Sequence, residues 1–271
     1  MMNDIQENLL EIMTDVDAAL RKGGVFYTMY SGTALGAARH HGFIPWDDDM
    51  DIVVKAEDLD AFKDALAKYL PEGKYYLQEP LSIDWANSFY KIKLNNSTGV
   101  ERSHLHTRMH QGLFIDVFPA REYPNGKFRR KMYEFLLFCQ KGVRVLSFRN
   151  YGKPRRDIIQ KPITAVHRLL LRMMAGLCEK DCRYYRVDYV GEPYPILDKK
   201  IFEDALDWDF EGHQFKLIRD YDYVLTQMYG DYMTLPPEEK RVGHHNVFFD
   251  RNIDYKDWLE RYFREHPDEK R

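Results

Sequence analysis

The chain is poor in cysteine: 271 residues hold only Cys139, Cys178 and Cys182. An odd number without zinc-ribbon spacing excludes a disulfide-stapled scaffold and reads as buried free thiols. Cys178 and Cys182, four residues apart, can share a helical face, but His167 is too far off to complete a zinc site with them. Long apolar runs are missing as well. The richest stretch, residues 163–178, is interrupted by His167, Arg168 and Arg172, so nothing approaches the ~18 apolar residues a spanning helix needs. The first residues carry Asp4, Glu7 and Glu11 in place of a basic and then apolar leader, so the expectation is a cytoplasmic chain. Internal repeats and low-complexity tracts are absent too, which excludes a solenoid or a disordered chain.

What is present is ample core material, with 44% hydrophobic residues and 14% aromatics. The net charge of −3 conceals a division. Residues 121–172 hold fourteen Lys and Arg against Glu122, Glu134 and Asp157, a balance of +11 that leaves −14 for the remainder. Apolar residues recur at helical spacing from Ile5 to Leu20 and stop at Gly23-Gly24. A strand over 25–30 then feeds, through Ser31-Gly32-Thr33, a small-residue helix over 34–38 with Thr33 as its cap. A strand over 50–55 and a helix over 58–70, with Leu59, Phe62, Leu66 and Tyr69 inward, follow. Further strands are expected over 75–78, 89–94 and 113–118, with turn chemistry at 95–99. Helices are expected from 127 to about 148, over 163–185 and over 221–229, with a break at 151–154. The pattern implies an α+β fold, a mixed sheet flanked by helices. It also implies a catalytic core over 1–120 and a mainly helical region over 121–271 that packs on it and completes the acceptor side.

The chemistry concentrates between Ser31 and Ile52. Asp47, Asp48, Asp49 and Asp51 place four carboxylates within five residues, each pair at 4 Å repelling by roughly 1 kcal/mol even in water. A cation relieves that strain. Along a strand alternate side chains share a face, so Asp49 and Asp51 point together, Asp47 can join them, and Asp48 faces away. Mg²⁺, or Mn²⁺ in its place, takes hard oxygen ligands from one or two carboxylates plus substrate phosphates. The N–H groups around Gly32 and Thr33 at a helix start offer a seat for such phosphates. A calcium loop with Asp47, Asp49, Asp51 and Asp58 as ligands fails, because Ile52 stands where the sharp turn requires Gly. Asp116, the single charge in an apolar strand, needs a partner and supplies a third carboxylate. Three carboxylates suit a pair of Mg²⁺ ions that clamp an in-line phosphoryl displacement.

This run resembles the LicD family, whose relatives include fukutin and the fukutin-related protein, within the nucleotidyltransferase fold superfamily. Gly32-Thr33 matches its Gly-[Ser/Thr] turn, Asp49-Met50-Asp51-Ile52 its acidic strand, and Asp116 its third carboxylate. The tail Tyr229-Gly230-Asp231-Tyr232-Met233 and the Leu235-Pro236-Pro237 that follows are similar to the end of such domains. The resemblance implies transfer of phosphocholine or a similar phospho-alcohol from a CDP-activated donor to a sugar of a cell-surface glycan, lipid-linked or of teichoic-acid type, with CMP leaving. It assigns Asp49, Asp51 and Asp116 as catalytic and metal-binding, with Asp47 as a further ligand and Asp116 as proton acceptor. One departure stands out: where many members carry an acid after Asp-Val-Phe-Pro, this chain has Ala120-Arg121.

Other candidates carry open alternatives. Ser31, Gly32, Thr33 and Arg39 are candidate phosphate contacts, while His40 and His41 read as a cationic helix end. Lys91 and Lys93 alternate on one strand, either to neutralise donor phosphates or as a solvated face. His244-His245 is either part of the site or an exposed pair. Trp46, Trp85, Tyr90 and Trp208 are candidates for an aromatic cage around a quaternary ammonium, with core packing as the alternative. The basic segment 121–172, with Phe and Leu interleaved, fits peripheral contact with an anionic membrane at its inner face. Nucleic acid is not expected, since no recognised module accompanies the charge. Two other readings are a nucleotidyltransferase acting on a small molecule such as an aminoglycoside, and a non-enzymatic membrane- or polymer-binding adaptor.

Overall fold

The computed structural model describes residues 2–150, 156–187, 195–243 and 247–269. The opening helix α1 spans Asp4–Gly23, started by a capping box between Asn3 and Gln6 and closed by Gly24 in the left-handed conformation. Its apolar stripe of Leu9, Ile12, Met13, Val16 and Leu20 is buried in the main core. Next come β1 (Tyr27–Met29), α2 (Ser31–His40), β2 (Asp51–Lys55), a 3-10 turn and α3 (Leu59–Tyr69). Of the four inward residues expected on α3, Phe62 and Leu66 are buried and Leu59 and Tyr69 are partly so.

Strands β3 (Tyr75–Gln78), β4 (Tyr90–Leu94), β5 (Thr98–Glu101) and β6 (Phe114–Tyr123) follow. The turn expected over 95–99 is therefore shorter, with Asn96 at φ 55° and Thr98 and Gly99 already in β5. The main sheet runs in the order β1-β2-β6-β4-β3, and only the β2/β6 pair is parallel. Strand β6 is its axis: the first half lies between β2 and β4, and the second half pairs with β7 (Tyr184–Val187), which pairs β8 (Ile196–Asp198). Residue 120 falls inside this strand.

The chain then forms a helical hairpin, α4 (Lys127–Asn150) and α5 (Arg156–Gly176). The helix expected over 163–185 begins earlier and ends earlier. Gly176 closes it, and Tyr184 and Tyr185 join β7 because their alternating burial suits the sheet edge. The break expected at 151–154 lies outside the described residues. A hairpin of β9 (Ala205–Phe210) and β10 (His213–Ile218) backs α2, α6 spans Tyr221–Tyr229, β11 (Val247–Asp250) pairs β5, and α7 spans Tyr255–Glu265. The fold is α+β, with a mixed sheet flanked by helices. Among the described residues no helix is long and apolar enough to cross a membrane.

Candidate active site

Tyr30 ends β1 and serves as the N-cap of α2, with Ser31 at φ 49° making the bend into the helix. Thr33 is thus not the cap; it lies inside α2. Its Oγ1 instead accepts the backbone N–H of Asp51 at 2.7 Å, which ties the turn to the acidic strand. The Tyr30 N–H donates to Asp51 O at 3.0 Å, and the Asp116 N–H to Met50 O at 2.8 Å. These bonds hold α2, β2 and β6 in one register, with Asp51 opposite Asp116 on neighbouring parallel strands. Facing residues in such a pair project to one side of the sheet about 4.8 Å apart, so both carboxylates share a face.

A cavity of about 360 Å³ opens on this corner. Ser31 and Gly32 line it from α2, Asp47, Asp49 and Asp51 from the acidic run, and Tyr229, Asp231, Tyr232 and Lys240 from the tail beyond α6. Gly32 is required by contact: a Cβ there would stand 2.9 Å from Asp47 Oδ2. Asp48 does not line the cavity, in keeping with its expected orientation. Arg39 does, and it donates to Tyr232 O at 2.7 Å, so one guanidinium links helix α2 to the tail. The helix ends at His40, with His41 as a left-handed C-cap; burial and the Arg39 charge lower His40, whose Nε2 accepts from Arg39 Nε at 3.0 Å, so the positive charge at this end comes from Arg39 and not from His40.

Tyr229 was not singled out alone from sequence, yet its hydroxyl meets Ser31 Oγ at 3.0 Å. Burial of the hydroxyl end, followed by the charges of Asp51, Asp47 and Asp49, raises it to about 12, although the ring edge stays open. It therefore presents a neutral phenol to the carboxylates at neutral pH. Gln6 is another residue the sequence did not flag: its Nε2 reaches Ile44 O at 3.2 Å and Asp47 O at 3.0 Å, pinning the loop that carries the aspartates. Glu211, at the β9–β10 turn, accepts the Phe43 N–H at 3.1 Å and holds the same loop from its other side.

Lys91 and Lys93 are neither a solvated strand face nor cavity residues; each is 1% exposed. Lys91 Nζ lies 2.9 Å from Asp116 Oδ1 and 3.7 Å from Glu101 Oε2. Burial alone would lower its pKa, but Asp116 and Glu101 outweigh burial and raise it, so it stays a cation. Lys93 lacks such a partner; burial, with Lys91 nearby, lowers it to about 7, and its Nζ donates to His110 O. Both lie off the cavity lining, Lys91 paired with Asp116 and Lys93 with the backbone of His110. Asp116 itself is 4% exposed and sits at the back of the site, beside Asp51. Of the aromatic candidates, only Trp46 lines the cavity, with the Arg241 guanidinium 5.8 Å from its ring centre. Trp85 and Tyr90 are core residues, and Trp208 donates to Ala37 O at 3.0 Å. His244 and His245 lie outside the described residues.

The donor chemistry fits a hard divalent cation. Asp47, Asp49 and Asp51 offer only oxygen to one cavity, yet they do not close into a cage. Among the described residues the three-donor group within 4.8 Å is Glu122, Cys178 and Cys182. An open carboxylate wall is what Mg²⁺ uses when phosphates and waters complete its shell. The thiol group is a different case. Cys178 follows the end of α5, so the pair does not share a helical face, and its Sγ donates to Glu122 O at 3.2 Å. Burial pushes this thiol up to about 12, so it remains protonated; all three cysteines are free, as expected.

Comparison with known proteins bears on the same residues. Residues 24–137 match the family model described as LicD/FKTN/FKRP, nucleotidyltransferase domain. The chain is 29% identical over 263 residues to the lipopolysaccharide cholinephosphotransferase LicD of Haemophilus influenzae, covering 87% of this chain and 92% of that protein. It is also similar to an uncharacterized protein of Rickettsia prowazekii, 28% identical over 54% of this chain and 49% of that one. A second uncharacterized protein, from Rickettsia typhi, is 42% identical over 24% of this chain and 21% of its own length.

Proposed function

We propose that the chain is a metal-dependent phosphotransferase of the LicD type, since residues 24–137 match the model of that family's nucleotidyltransferase domain. In this reading it moves phosphocholine, or a closely similar phospho-alcohol, from a CDP-activated donor to a sugar of a cell-surface glycan. The likeness to a lipopolysaccharide cholinephosphotransferase across most of both chains supports that reaction class. The observation that carries the reading is the cavity in which Asp47, Asp49 and Asp51 face the Ser31-Gly32 turn.

Asp49 and Asp51 would hold Mg²⁺ or Mn²⁺, with Asp47 beside them and Asp116 behind Asp51. Bound there, the cation would neutralise charge on the donor's pyrophosphate and stabilise the leaving CMP. The N–H groups at the start of α2 and the cations of Arg39 and Lys240 would orient the phosphates from the opposite wall. The acceptor hydroxyl attacks the phosphorus that carries the alcohol, forming one P–O bond as the bond to CMP breaks. Its proton is released to solvent at the open cavity, since Asp49 and Asp51 are assigned to the cation. Asp116 is less suited to accept that proton than the sequence suggested, since its carboxylate is bound to Lys91 and lies outside the cavity lining. Tyr229, a neutral donor on the cavity wall, would bond an oxygen of the transferred group.

The test is incubation with a panel of CDP-alcohols and nucleoside triphosphates plus Mg²⁺, with CMP and pyrophosphate measured separately. CMP release dependent on a sugar acceptor is expected. Asp49→Ala and Asp51→Ala should each lower it by at least ~10³-fold with unchanged far-UV circular dichroism. Pyrophosphate release instead of CMP would make the chain a nucleotidyltransferase, and near-normal turnover in either variant would remove the aspartates from the mechanism.

A further inference from the structure

The α4–α5 hairpin does not line the cavity, and toward its tip its polarity is inverted. Helices of 24 and 21 residues extend about 36 and 32 Å at 1.5 Å per residue. A surface helix in water buries its apolar stripe and exposes its polar one. On α4, Phe128, Phe135, Phe138, Val145 and Leu146 follow helical spacing along one face and are exposed, Phe128 at 76% and Phe138 at 72%. On α5, Ile158, Val166, Leu169 and Met173 form the matching exposed stripe, Ile158 at 70%. The inner faces divide along their length: near the base Tyr133, Leu136, Leu137 and Met174 bury an apolar cluster, whereas toward the tip Gln140 and Ser147 on α4, and Gln160, Thr164 and His167 on α5, are buried polar residues. Arginines tie the hairpin to the neighbouring segment, Arg156 from the interior and Arg144 and Arg168 from its more open sides. Arg144 donates to Asn87 Oδ1 at 3.1 Å, Arg156 to Asp84 Oδ1 at 2.5 Å and Arg168 to Leu81 O at 3.1 Å, which fastens the hairpin to the segment before β4.

An exposed apolar stripe along both helices, over an inside that is polar toward the tip, fits an environment less polar than water. Exposed Lys131, Lys141, Lys161 and Arg172 lie among the apolar residues, within the segment whose charge is +11. The hairpin therefore offers apolar side chains for insertion and cations for a negative surface. A second copy is a poor occupant, since it would bring two such positive segments together. A spanning role is equally unsuited, because these helices are not apolar enough to cross.

We propose that the outer face of the α4–α5 hairpin docks flat on an anionic lipid bilayer, with its Phe, Leu, Ile and Met side chains in the interface and its cations among the headgroups. This surface stands independently of the reaction at the cavity. It would hold the enzyme at the plane where a lipid-linked acceptor lies.

The experiment is co-sedimentation of the full chain with vesicles of phosphatidylcholine containing about a third phosphatidylglycerol, and with phosphatidylcholine alone. Two variants run beside it, Phe135→Asp with Leu169→Asp on the apolar stripe, and Lys131→Glu with Arg172→Glu on the cationic set. Each is checked by circular dichroism and by sedimentation velocity without lipid. The wild-type chain is expected to bind anionic vesicles at least tenfold more strongly than neutral ones, and each variant to lose that binding by tenfold or more with its fold intact. Wild-type protein left in the supernatant with anionic vesicles overturns the proposal, as does equal binding to both vesicles or unchanged binding in either variant. A wild-type dimer that Phe135→Asp with Leu169→Asp turns into a monomer also overturns it, because a second copy then covers the face.

Discussion

Gly32 carries no side-chain chemistry, yet its lack of a Cβ leaves the room that the Asp47 carboxylate occupies. A Cβ at that position would meet Asp47 Oδ2 at 2.9 Å, and the added methyl can be accommodated only if the aspartate moves. Displacements of about 1 Å in a reacting site cost on the order of 100-fold in rate. Gly32→Ala is therefore expected to lower turnover by roughly 10- to 100-fold while the unfolding midpoint in urea shifts little, since Gly32 is only partly buried. A variant with full activity would show that Asp47 can leave its place without consequence for the reaction. The Gly, the aspartates and the apolar strand around Asp116 were legible in sequence because crowded charge and special turns leave local marks. Gln6 and Glu211 left none. Their roles rest on backbone carbonyl and N–H groups of residues 43–47, far from either in sequence, and such partners are decided by packing. Lys91 and Lys93 were misjudged for a related reason. Strand alternation places them on one face but does not say that β3 and β6 flank that strand and bury it.

At the scale of elements, boundaries followed wherever periodicity ended on a glycine, as in α1 and α6, and failed where apolar text ran on. Residues 163–185 read as one helix because Leu177, Cys178, Cys182, Tyr184 and Tyr185 continue apolar text past Gly176, and only the pairing of β7 with β6 separates them. The hairpin that results contains a titration device. His167 on α5 faces α4, hydrogen-bonded to the backbone of Val143, and burial lowers its pKa to about 4. The unfolded ring titrates near 6.5, so between about 6.5 and 4 the unfolded chain binds more protons than the folded one. Stability is then full above pH 6.5 and falls as pH drops toward 4, by about 2 kcal/mol at pH 5 for this one group. Urea unfolding at pH 7 and pH 5 should accordingly show a smaller loss for His167→Gln than for the wild-type chain. Other lowered histidines, such as His110, contribute equally to both proteins and drop out of the difference. An identical pH response in the two would mean that the ring is already protonated and satisfied in the folded hairpin.

Across the whole molecule the cavity joins residues 31–51 with residues 229–240, two segments separated by the sheet axis, the hairpin and the β9–β10 pair. Arg39 to Tyr232 O and Ser31 to Tyr229 join the two segments. A ligand bound there is held by both ends of the fold and must stabilise the folded chain by mass action, about 2.7 kcal/mol at a hundredfold excess over its dissociation constant. For a chain of this length that corresponds to a rise in melting temperature of several degrees. Mg²⁺ together with CDP should produce that rise, and Mg²⁺ alone a smaller one, because an open carboxylate wall leaves most of the metal's shell to phosphate and water. Asp51→Ala removes a wall residue and is expected to abolish the shift. Asp48→Ala removes an equal charge from the same run but lies off the cavity lining, so the shift should persist. The comparison separates a specific cation site from general relief of crowded charge: if both variants lose the shift equally, Mg²⁺ is acting on the net charge of the acidic run and not at the cavity that Asp47, Asp49 and Asp51 surround.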